Sequence, residues 1–160
     1  MKRRWCVYVL IGIVFGVADF YLPSFIVPHL SMNSPVLEGI IGFALTFGVW
    51  LVPGIPIVIY ETSVSRRRLS SALAICLTWC ISVVVYYLTN VAQLAIGSST
   101  QPDLRFSNHN SPFFWTNWES VLFSYVLTST LEWSIVSILG GLIIGFLVSS
   151  TYMFVRGLRR

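Results

Sequence analysis

The chain has 160 residues, 56% apolar and 10% charged, with a net charge of +4 and a mean hydropathy of +0.79. A soluble domain carries about 25% charged residues; ten Lys/Arg and six Asp/Glu are too few to coat a water-exposed surface of this size. The same balance excludes disorder, and three cysteines exclude a disulfide scaffold, which leaves an integral membrane protein.

A hydrocarbon core of roughly 30 Å calls for about 20 apolar residues per crossing, and backbone groups in lipid have no partner but their own helix. Four stretches meet that length, over approximately 5–22, 35–60, 69–96 and 132–155. No alternating strand pattern competes with them. The expected fold is therefore all-α, a single transmembrane domain built as a four-helix bundle.

The first span follows Lys2, Arg3 and Arg4. Gly12 and Gly16 stand at the G-x-x-x-G spacing that lets helix backbones approach. Asp19 lies three residues beyond Gly16, on the same face, so it is expected to point into the bundle. A charged group at that depth is costly and by default functional, as a proton, cation or amine site; an interfacial carboxylate is the plainer reading. Gly16-Val17-Ala18 also fits a signal-peptide cleavage site, but the apolar run continues to Leu22 and favours a retained span. The loop that follows, with Pro23, Pro28, His29 and Asn33, is short and expected at the headgroup level.

The second span opens on Glu38, a carboxylate suited to a helix start. Gly39, Gly42 and Thr46 form a small-residue ridge expected to face inward. Pro53-Gly54-Ile55-Pro56 should kink or unwind the inner part of the span, so Pro53, Gly54 and Pro56 form a candidate hinge, with a static kink as the alternative. Glu61 is expected to pair with Arg66–Arg68 in a structural role.

The third span carries Cys76 and Cys80, read as packing thiols. Ser82, Tyr86, Asn90 and Gln93 recur on one stripe rising toward the outer side. Such a stripe joins helices by hydrogen bonds or lines a solute pocket. The outer loop over 97–117 is the one long polar stretch, rich in turn residues and holding His109. Phe113, Phe114, Trp115 and Trp118 then mark a return to the interface. From Glu119 to Val155 is 37 residues, about 55 Å of helix. Residues 118–131 therefore read as an interfacial segment before the last span, with one long tilted helix as the alternative. That span opens on Glu132 and carries a ridge of Ser137, Gly141, Gly145 and Ser149.

Nine of the ten Lys/Arg fall on one side of this four-span layout, which places both termini in the cytoplasm of a cell-membrane protein. Anionic headgroups are the natural partners of those clusters, and nucleic acid is not implied. Five of the six acids fall on the other side. An acidic, aromatic vestibule there would attract cations, with Tyr21, Tyr86, Tyr87, Trp118 and Trp133 available for cation–π contacts. No nucleophile–base pair, metal-ligand spacing or nucleotide motif is present, so neither an enzyme nor a cofactor or metal site is expected. The resulting expectation is a small solute- or cation-binding transport subunit, with a polar site of Asp19, Glu38, Tyr86, Asn90, Gln93 and Glu132. It would work as a homo-oligomer or beside a partner membrane subunit. The alternative is a non-catalytic structural or assembly subunit of a larger membrane complex, with the glycine and serine ridges as its working surface.

Overall fold

The computed structural model describes residues 2–26, 35–97 and 101–158. His29 and the rest of the first outer loop beyond Ile26, together with Ser98–Thr100, lie outside the described residues. Helix α1 spans Lys2–Ile26. Helix α2, Pro35–Phe43, passes through a π-helical turn at Ala44–Gly48 into α3, Val49–Ser65. Helix α4 spans Arg68–Ile96. Two 3-10 turns, Pro102–Leu104 and Phe106–Asn108, precede α5, Phe114–Ser120. A second π-helical stretch, Val121–Leu127, joins α5 to α6, Thr128–Leu158. No strand occurs among the described residues. Four helical runs are long and apolar enough to cross a membrane: Arg3–Ile26, Val36–Ser65, Arg68–Ile96 and Phe114–Gly157.

Helix α4 is the centre of the bundle. Half of its apolar window is buried, against 11–17% for the other three. Small residues on its neighbours explain the close approach. A methyl group at Gly16 would stand 2.5 Å from the Ser82 carbonyl oxygen, and one at Gly12 would stand 2.7 Å from that of Thr78. On the other flank, a methyl at Gly141 would meet Cys76 Sγ at 2.8 Å, and one at Gly145 would meet Ala72 Cα at 2.5 Å. Ser137 and Ser149 are buried on that same ridge of α6. Polar atoms tie the same seams. The Ser82 hydroxyl donates to Gly12 O at 3.1 Å, and the Cys76 thiol donates to Ile138 O at 3.4 Å. All three cysteines are free.

The ridge of α2 behaves differently. Gly39 and Gly42 are exposed, and a methyl at either would meet nothing within 4 Å among the described residues. The inward seam expected from their spacing is instead formed further along, where a methyl at Gly54 would meet Ile75 Cδ1 at 2.7 Å.

Of the two outcomes expected at the proline segment, unwinding does not occur. Helix α3 does not unwind at Pro53–Pro56 but continues through both prolines to Ser65. Each proline removes one donor and crowds the carbonyl four residues earlier. The carbonyl that Pro53 crowds belongs to Val49, and the widened turn Ala44–Gly48 ends immediately before it. The irregularity therefore sits one turn upstream of the prolines. There the Trp79 indole donates to Trp50 O at 3.0 Å and ties the wall to α4.

One end of the bundle gathers the basic residues. Arg4 reaches Glu61 across α1 and α3, and Arg66 and Arg156 line one shallow cavity with Tyr152. Helix α3 stops at Arg66, whose backbone is left-handed with φ 54°. At the opposite end, the polar loop folds over the tip of α4. Leu104, Phe114 and Trp118 are buried together against Val91, Leu94 and Ala95, and the Trp118 indole donates to Leu104 O at 3.0 Å. Phe113 and Trp115, by contrast, are exposed.

Candidate functional site

Asp19 lies one turn beyond the Gly16 contact, where α1 and α4 no longer touch through bare backbone. Larger groups separate them there. The Phe20 and Tyr86 rings meet edge to face at 5.4 Å. The gap opens into a cavity of about 270 Å³. Every membrane-spanning run contributes to its wall. Asp19 and Pro23 come from α1, Leu45 and Thr46 from the π-helical turn, and Trp50 from α3. Val83, Tyr86 and Tyr87 come from α4, and Trp133 from α6.

The electrostatics of this cavity are one-sided. Asp19 is the only ionisable acid or base on the wall apart from the two tyrosine phenols. An ion pair, Arg4–Glu61, stands about 22 Å away along α1. Trp50, from α3, stands on the same wall as the Asp19 carboxylate. Four aromatic rings, those of Trp50, Tyr86, Tyr87 and Trp133, surround the same space. A carboxylate with aromatic faces beside it attracts a cation twice, by charge and by ring quadrupole.

The residues expected to form the site divide into two groups. Asp19 and Tyr86 share the cavity, while Glu38, Asn90, Gln93 and Glu132 are absent from its wall. Glu38 and Glu132 are exposed. Gln93 lies at the C-terminal end of α4, its side chain against Gly97. Asn90 keeps a buried Oδ1 with no hydrogen-bond partner among the described residues. Trp133 and Tyr87 line the cavity, whereas Trp118 is sealed beneath the loop over 101–113 and Tyr21 is exposed beside Phe20. Thr46 and Trp50 were not foreseen as wall residues. Their four-residue spacing places them on one helix face, which is the signal that points to them. The π-helical turn obscures how that face relates to Glu38, because a wider turn rotates everything beyond it off the α-helical wheel.

The second carboxylate is arranged in the opposite way. Glu61 is 1% exposed and accepts three hydrogen bonds. They come from Arg4 Nη1 at 3.1 Å, the Tyr8 hydroxyl at 2.6 Å and the Ser70 hydroxyl at 2.9 Å. Its cationic partner is thus Arg4 rather than the neighbouring Arg66–Arg68, all of which are exposed. The reason is facial. Glu61 is on the inward side of α3, and the chain leaves that side when Arg66 turns left-handed.

No group of three or more His, Cys, Asp or Glu positioned to hold a metal ion occurs among the described residues. No protein-family model, curated protein or solved structure matches this chain.

Proposed function

We propose that this protein is a small multi-pass subunit of the cell membrane that binds a cationic solute at Asp19 and takes part in its transport. One observation carries the reading: a carboxylate opens onto an aromatic cavity between the membrane-spanning helices, with no cationic side chain on that wall. A scaffold would be expected to satisfy such a carboxylate with its own residues, as happens at Glu61. The basic clusters support cytoplasmic termini, and on that reading the Asp19 cavity faces the outer side. Residues 118–131 then form an outer, interfacial part of the long last helical run, since 44 residues exceed what a roughly 30 Å core holds. The subunit would draw on an ion gradient, on copies of itself or on a partner subunit.

The test is saturable quenching of cavity tryptophan fluorescence by tetraethylammonium, with the full chain in lipid nanodiscs. Asp19→Asn is expected to weaken binding about tenfold or more, the equivalent of about 1.4 kcal/mol. Unchanged affinity in a folded Asp19→Asn protein would overturn the reading. The alternative, an assembly subunit, draws support from the Gly39–Gly42 face, which is exposed and meets nothing among the described residues. Bulky residues at both positions should then abolish co-purification of a partner without touching cation binding.

A further inference from the structure

A second cavity, of about 310 Å³, lies directly behind the first. The two share three wall residues, Thr46, Trp50 and Trp133. The first cavity holds a carboxylate and two tyrosines. The second is apolar, with Phe47, Trp79 and Ile144 on its wall. The dividing rings are close but not sealed into one another: Trp50 and Trp133 stand 6.2 Å apart, tilted by 39°. The π-helical turn Ala44–Gly48 runs along both cavities, and such turns recur where a helix has been reshaped for a site.

A packing defect would be dry and featureless. Ser137 is one of the residues lining this cavity, and its buried hydroxyl has no hydrogen-bond partner among the described residues. Gly140 opens the same wall, since a methyl there would come within 3.3 Å of the Trp79 ring.

We propose that the two cavities form one bipartite site for an amphiphilic organic cation. Its ammonium group lies against Asp19 between the tyrosine rings, and its apolar body passes Trp50 and Trp133 into the compartment that ends at Ser137. This specifies the ligand class of the Asp19 site and rests on the reading of that site as a cation site. Charge complementarity selects the occupant, because neither cavity wall carries a basic side chain. A bilayer acyl chain fills only the second compartment and leaves Asp19 unanswered. The body of the cation gains its affinity by leaving water for an aromatic-lined space, and the head fixes its orientation.

The experiment compares tetramethylammonium with hexyltrimethylammonium on the full chain in nanodiscs, by tryptophan quenching. For each protein the ratio of the two dissociation constants is divided by that of the native chain, so bilayer partitioning cancels. The native chain is expected to bind the hexyl probe at least tenfold tighter. Gly140→Leu, which fills the second cavity, should remove most of that gain while tetramethylammonium affinity stays within about twofold. Val136→Phe blocks the same compartment from a half-exposed position and serves if Gly140→Leu does not fold. Asp19→Asn should weaken both probes together. A hexyl gain that persists in the cavity-filling variants overturns the bipartite site and leaves the Asp19 site standing. Failure of the native chain to bind either probe overturns both.

Discussion

The two ends of the bundle handle a carboxylate in opposite ways. At the basic end, Glu61 is enclosed and saturated by a guanidinium and two hydroxyls from two neighbouring helices, α1 and α4. At the other end, Asp19 faces a cavity lined by aromatic rings, with no cationic side chain on its wall. The chemistry of the two side chains is nearly the same, so the difference lies in what surrounds them. An enclosed acid with a full set of donors holds helices together. An acid with aromatic neighbours and open space is available to a ligand. An ionisable residue inside a membrane bundle is therefore informative only once its partners have been counted.

That contrast can be broken or sharpened by substitution. Glu61→Ala should cost the most, about 2–3 kcal/mol. Breaking a buried ion pair typically costs about 3–5 kcal/mol, reduced here because Arg4 is 26% exposed and regains water. Reversible unfolding in mixed micelles measures this, and a loss under about 1 kcal/mol would make the two ends equivalent. Gly16→Ala should follow at about 1–3 kcal/mol, as overpacking forces α1 off the Ser82 carbonyl; Gly39→Ala, meeting nothing, serves as its control. Trp118→Phe removes the indole bond to Leu104 and should cost about 1 kcal/mol. Its readout is faster proteolysis within 101–113. Asp19→Asn should change stability least, by under about 0.5 kcal/mol. A large stability loss there would mean that Asp19 is structural too.

Much of the architecture was legible because lipid leaves so few choices. The four helical runs, the glycine approach at Gly12 and Gly16 and the Ser137–Ser149 ridge all follow from local composition and spacing. The partner of Glu61 was not legible. Arg66–Arg68 are near it in the chain, but a left-handed residue separates them from its face, whereas Arg4 is 57 positions away. The wall of the cavity was half legible. Asp19 and Tyr86 lie on regular helices, where a wheel predicts facing. Thr46 and Trp50 lie at and beyond a π-helical turn, where the wheel loses register. Asn90, Gln93, Glu38 and Glu132 have suitable chemistry and nearby heights, but height along a span does not specify the angle around it. The loop's hidden core was missed because Leu104, Phe114 and Trp118 are scattered among turn residues and show no period.

The central position of α4 has a consequence for biogenesis. Helix α1 carries its glycine seam into the bilayer first, yet the surface it fits, around Ser82 and Val85, is translated roughly 70 residues later. At ~5–20 residues per second this is an interval of several seconds. During that interval Gly12, Gly16 and Asp19 face lipid or the insertion machinery rather than their final neighbours. The nascent chain must therefore tolerate an unshielded acid in its first span until the third one arrives.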